Sequence, residues 1–184
     1  KYAIYRAIQD AKASLRFLSA NADDYSIDTN WIFMAGPSAG GVTPLFTKYL
    51  TQDAANLFIP GVEARYGSLD RADNNLTNKY TIKGICSMWG AINDPNLITP
   101  QNVVPTLFIH GMKDPVVPYD TDPVFHCSNF TVVSGSSILY DRMTNVLKAP
   151  AVVIYDPNGG HGVYDNNSNC DNMCTFFNSI MARK

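Results

Sequence analysis

"GPSAGG", residues 36–41, follows the short apolar run Trp31, Ile32, Phe33, Met34 and Ala35 and precedes a stretch with helical spacing. Strand, tight Gly-rich turn, helix is the local order expected. Upstream, Ile4, Ala7, Ile8, Ala11, Leu15 and Leu18 recur at helical spacing and predict an amphipathic helix. Residues 23–30 read as a loop into the strand. Downstream, residues 42–50 predict a helix that tolerates Pro44 because it falls near the helix start. Further apolar runs at residues 82–89, 103–110 and 151–155 predict strands, and residues 61–78, rich in Gly, Asp and Asn, predict a surface excursion. Strands alternating with helices imply an α/β fold, a parallel sheet with helices on both faces.

The 184 residues are 46% hydrophobic and 16% charged, enough for one core of ordinary size, so one domain over residues 1–184 is expected. Net charge is -2 with no basic run, which argues against a nucleic-acid partner. No apolar stretch reaches the roughly 18–20 residues of a membrane span, and the first residues are no signal peptide. The chain starts at Lys1 rather than Met, and a piece of a longer protein is expected. Cys86, inside an apolar run, reads as a packed thiol. Cys127 is placed to bridge to Cys170 or Cys174, or all three stay free thiols. A bridge would indicate an oxidising compartment, and a secreted or periplasmic protein is expected. Glycosylation-type triplets begin at Asn75, Asn129 and Asn166, but chance produces such triplets in an Asn-rich chain.

Between a parallel strand and a helix, Gly-x-Ser-x-Gly reads as a turn that lifts the Ser38 hydroxyl above the sheet. Gly36 and Gly40, without β-carbons, would let strand and helix approach. The Ala39 N–H at the helix start would then face an oxyanion, helped by the helix dipole. A serine hydroxyl needs a base, and imidazole titrates in the right range. Of three histidines, His110 ends a strand and should point into its packed rim, and His126 reads as a surface or loop residue. His161, in "NGGHG" (residues 158–162), has glycines on both sides that let the ring swing over the strand ends. The carboxylate that orients it is expected to be Asp114, just past a strand end, with Asp94 as rival after the preceding strand.

Three stretches, "IFMAGPSAGG" (32–41), "PTLFIHGMKDPVVPY" (105–119) and "PNGGHG" (157–162), in the chain order Ser, Asp, His, resemble the α/β-hydrolase superfamily, most closely its bacterial carboxylesterase/lipase branch. Residues 5–36 resemble the helix and strand that precede the serine in such enzymes. The resemblance implies Ser38 as nucleophile, His161 as base, Asp114 as acid and Ala39 as an oxyanion donor. Pro37 departs from the family, which usually has a residue with an N–H there. The family fold has about eight strands, and its second oxyanion N–H comes from a loop after the third. No such loop precedes Lys1, so the C-terminal half of the fold is expected, with the serine strand as an open edge that an upstream segment or partner chain would complete.

Asp165, Asn167, Asn169 and Asp171 alternate like calcium ligands, but Cys170 replaces the needed glycine and Phe176 the closing glutamate, so a solvated loop is expected there. No metal or cofactor is expected. Trp89, Tyr119 and Phe125 are candidates to line an acyl or alcohol pocket, or simply to pack. The resulting expectation is a serine ester hydrolase that forms an acyl-enzyme on a small ester substrate. The alternatives are a peptidase of the prolyl-oligopeptidase type and a noncatalytic domain of hydrolase descent.

Overall fold

Two central strands, β2 (Ile82–Met88) and β3 (Thr106–Gly111), are buried almost throughout, as strands covered on both faces must be. In the computed structural model, which describes residues 1–72 and 74–182, they lie inside a parallel sheet. Its edges are β1 (Ile32–Pro37), beside β2, and β6 (Ala151–Asp156), beside β3, while β4 (Thr121–Pro123) and β5 (Val132–Ser134) form a separate antiparallel pair. The serine strand β1 is therefore an edge, pairing with β2 from Ile32↔Ile82 to Pro37↔Met88. Pro37, which cannot donate to a ladder, sits at the end of that edge strand, and the ladder is continued by the Ser38 N–H on the Met88 carbonyl at 2.9 Å.

Alternation along the strands separates two cores. Ile85 and Phe108 face the larger one, built with α1 (Tyr2–Ala20), α2 (Ala39–Tyr49) and α5 (Ser136–Asp141) through Tyr5, Ile8, Leu45, Phe46 and Leu139. Cys86, Leu107 and Ile109 face the other way, onto Met173, Phe176 and Phe177 of α6 (Asn166–Met181). Burial pushes the Cys86 thiol up to about 12, so it is a packing group without nucleophilic character. All four cysteines are free, with Cys170 and Cys174 exposed on α6.

The structure departs from the sequence expectations at several elements. Three short helices, α3 (Gln52–Phe58), α4 (Val62–Tyr66) and α5, were not anticipated, and α4 lies within the expected excursion 61–78, of which residue 73 lies outside the described residues. The excursion is tied to α1: Gln9 donates to the carbonyls of Tyr66, Gly67 and Ser68, Lys12 pairs with Asp70 at 2.8 Å, and Arg16 donates to the Ala72 carbonyl. Helix α2 begins at Ala39 rather than at residue 42, so Pro44 falls beyond its first turn, where it removes one ladder donor. Residues 165–171 do not form a solvated loop. Asp165 caps α6 by accepting from the Ser168 N–H at 2.9 Å, and alternate residues on a helix diverge, so the calcium-like series cannot converge on one ion. Among the described residues, no group of three potential ligands is placed to hold a metal, and no helix is long and apolar enough to cross a membrane.

The glycines that permit the Ser38 turn are also not the pair expected. A β-carbon on Gly36 would sit 2.3 Å from the Gly40 carbonyl oxygen, and one on Gly41 would sit 2.5 Å from that of Met88, whereas one on Gly40 meets only Pro37 Cδ at 3.4 Å. The obligatory glycines are Gly36 and Gly41. Gly41→Ala should push α2 off the sheet and destabilise strongly, while Gly40→Ala should be tolerated or stabilise by up to about 1 kcal/mol through helix propensity. Denaturant unfolding of the two variants checks this, and equal destabilisation would refute it.

Candidate functional site

Ser38 occupies the N-cap of α2 with φ 54 and ψ -123, a left-handed backbone that a non-glycine residue adopts only under constraint. The constraint is the contact just described, where the first turn of α2 is pressed against β1, β2 and Gly90. Its ladder starts with the Gly41 and Val42 N–H groups on the Ser38 carbonyl, at 2.7 and 3.0 Å. As first residue of the helix, Ala39 has an N–H with no intrahelical acceptor, at the positive end of the helix dipole.

His161 and Asp114 arrive from loops after β6 and β3. His161 Nε2 lies 2.8 Å from Ser38 Oγ, and Nδ1 lies 2.8 and 3.0 Å from the two Asp114 oxygens. A carboxylate only accepts, so Nδ1 carries the proton and Nε2 accepts from the hydroxyl. Gly111 lets this loop descend: the carbonyls of Gly159 and Gly160 fill the space a β-carbon on Gly111 would need, each at 2.4 Å. Trp89 packs edge-on against the His161 ring at 6.3 Å. The rival Asp94 is elsewhere, its side chain accepting from the Asn96 N–H to cap a short turn.

The Asp114 side chain is fully buried yet fully partnered. Burial alone would raise its pKa, but donors outweigh it and hold the carboxyl below its usual range: His110, the Val116 N–H, His161 and the Val117 N–H. The main-chain donors reach Oδ1 at 2.8 and 3.0 Å. His110 is buried in the packed rim, as its sequence suggested, but its Nε2 also sits 3.3 Å from Asp114 Oδ2 and 3.0 Å from the Val117 carbonyl. Ser136 Oγ lies 2.8 Å from its Nδ1. His126, expected only as a surface or loop residue, contacts the Asp114 main-chain carbonyl at 2.9 Å.

An apolar cavity of about 410 Å³ is lined among others by Ile4, Val42, Phe46, Val117, Phe125 and Phe130, and Ser38, Asp114 and His161 are not among its lining residues. Its walls are bonded to the polar residues: the Val42 N–H to the Ser38 carbonyl, the Val117 N–H to Asp114. Of the aromatic candidates for a pocket, Phe125 lines this cavity, Trp89 packs on His161, and Tyr119 stacks edge-on against His110 at 5.5 Å.

A parallel sheet carrying a strained serine at a strand-to-helix turn, with acid and histidine on later strand ends, defines an α/β-hydrolase-type chain. The BD-FAE family model matches residues 3–97, just over half of the sequence, and the chain belongs to that family. Solved structures with this fold include a truncated carbohydrate esterase from gut microbiota, 22% identical with a TM-score of 0.65, covering 96% of this chain and 68% of that one. A bifunctional GH43-CE protein from Bacteroides eggerthii is 20% identical with a TM-score of 0.64, covering 94% and 27%. A thermophilic esterase from Thermogutta terrifontis, solved with butyrate bound, is 13% identical with a TM-score of 0.63, covering 96% and 67%. The chain thus spans about two thirds or less of the length of these proteins. No curated protein matches it.

Because the folded pKa of Asp114 is depressed, its ionised carboxylate contributes stability fully above the usual carboxylate value of about 3.9, and that contribution is lost as pH falls through the lower folded value. Asp114→Asn should therefore lower the unfolding midpoint at neutral pH, with the gap to the parent closing in strong acid. A pH-independent gap would show that the charge of Asp114 does not contribute.

Proposed function

We propose that the chain carries the reacting groups of a serine carboxylic-ester hydrolase acting on small-molecule esters. The observation that carries this reading is the continuous hydrogen-bonded series Ser38, His161, Asp114, with 2.8 Å at both of its His161 links. Ser38 Oγ attacks the ester carbonyl while His161 Nε2 takes its proton. The tetrahedral oxyanion is met by the Ala39 N–H, and collapse expels the alcohol, which leaves with the proton from His161. Water, deprotonated by the same nitrogen, then attacks the acyl-enzyme and releases the acid. Asp114 keeps the proton on Nδ1 and stabilises the imidazolium. The apolar cavity beside Val42 and Val117 takes the acyl group, or the apolar part of the alcohol.

A second oxyanion donor completes the reading. It comes from a strand or loop on the open edge of β1, supplied by an upstream segment or a partner chain. The solved structures named above, three proteins described as esterases or as containing a CE part, support ester chemistry by fold alone.

Ser38→Ala should leave folding intact and reduce ester turnover by about 10⁴-fold or more, and a fluorophosphonate should label Ser38 and no other residue. Measurable turnover in the alanine variant, or no labelling, would overturn the proposal. Peptide cleavage at rates matching short acyl esters would replace the esterase by a peptidase.

A further inference from the structure

His126 has two ring nitrogens and two oxygen partners that can only accept. Nδ1 lies 2.5 Å from an Asp122 carboxylate oxygen, and Nε2 lies 2.9 Å from the Asp114 main-chain carbonyl. Neutral imidazole carries one N–H, so it satisfies one of these contacts and turns a lone pair on the other oxygen. Both contacts exist together only in the imidazolium. We propose that His126 is a positioning residue for the ester hydrolase described above: as a cation it fixes the acid-bearing loop, residues 114–117, and its deprotonation releases that loop and slows turnover.

The surrounding backbone depends on this bridge. Phe125 and His126 have φ of 60 and 50, two successive non-glycine residues in the left-handed region, which needs outside restraint. Two bonds on this segment reach the acid loop: the Phe125 N–H on the Val116 carbonyl at 2.8 Å and His126 Nε2 on the Asp114 carbonyl. Val116 in turn donates its N–H to the Asp114 carboxylate, so movement of this segment reaches the atoms that hold His161. When one proton leaves, the remaining N–H stays on Nδ1, favoured by the negative charge of Asp122. Nε2 then faces the Asp114 carbonyl with a lone pair and the ring swings away.

Bonds to Asp114 and Asp122 raise the pKa of His126 above its ordinary value. The bridge is thus complete below that ordinary value, about 6.5, and is lost as pH rises through the higher folded value. The other titratable groups around the cleft that holds His126 are Lys113, Tyr119 and Asp120. Burial raises the Tyr119 phenol further above its ordinary range, and the thiol of the adjacent Cys127 is a further titratable group, so an alkaline limb is assigned to His126 by its loss in His126→Gln.

The test is the pH dependence of kcat/KM on a short acyl ester for the parent and for His126→Gln and Asp122→Asn, with thermal unfolding followed at each pH. The parent should lose activity through kcat, with little change in KM, on an alkaline limb that lies above the ordinary imidazole value. His126→Gln, a one-donor side chain that does not titrate, should show a lower plateau, by roughly three- to tenfold, and no such limb. Asp122→Asn leaves the ring in place and should move the limb about 1 unit toward acid. An identical limb in all three proteins would overturn the role of His126 even if His126→Gln is less stable. Fluorophosphonate labelling of Ser38 in the same samples separates the two readings. Normal labelling with identical limbs refutes the bridge alone, and absent labelling in the parent refutes the hydrolase reading on which it rests.

Discussion

The contact on which the rest of the structure depends is backbone against backbone, where the first turn of α2 crosses the ends of β1 and β2. Gly36 and Gly41 leave no room for a β-carbon at that crossing, and Gly90 closes it from the other side, where a β-carbon would meet the Gly41 carbonyl carbon at 2.6 Å. The helix therefore starts immediately after the strand, and the single residue between them absorbs the whole change of direction. That residue is Ser38, and its left-handed φ is the consequence. The strain is local, but it is held by burial elsewhere: Leu45, Phe46 and Tyr49 anchor α2 in the larger core, and Ser87 donates to the Gly41 carbonyl at 3.0 Å. Helix, strand ends and turn thus define one rigid point above the sheet from which an oxygen and an N–H project.

From that point the parallel topology supplies the partners. In a parallel sheet every strand delivers its following loop to the same end, so residues 76 and 123 positions beyond Ser38 arrive within hydrogen-bond reach without any local sequence relation. The loop after β3 presents a carboxylate already bonded by the N–H groups of its own turn. The Gly-rich loop after β6 passes close over Gly111 and hangs the imidazole between carboxylate and hydroxyl.

These parts were legible in the sequence to different degrees. The four strands of the parallel sheet were, because each is a bounded apolar run, and so were the candidate polar residues, because strand-end loops carry Gly and Pro around them; the three-residue strands β4 and β5 were too short to leave a pattern. Helix α6 was missed although Met173, Phe176, Phe177 and Ile180 recur at helical spacing and an Asp165 cap precedes them; its polar first turns, rich in Asn, masked that period. The glycine pairing was misassigned because a motif shows which positions are small and not which of them meet another backbone. His110 and His126 were placed at rim and surface correctly. Their contacts with Asp114 join loops distant in the sequence, and no periodicity records such a meeting.

The three histidines show how far partner chemistry alone fixes a protonation state. His161 stands between a pure acceptor and a hydroxyl that can donate, so one nitrogen is protonated and the other is free to receive a proton. His110 stands between the Val117 carbonyl, which demands a donor, and the Ser136 hydroxyl, which can donate or accept, so its partners admit either state. His126 stands between two acceptors and must be charged. All three touch Asp114, two through its carboxylate and one through its carbonyl, so a single aspartate is held from three sides by rings with different partners. A proton moving onto His161 changes the charge beside that carboxylate, while a proton leaving His126 changes its position. In the proposed roles, the same residue is thus coupled to one ring through charge and to another through position.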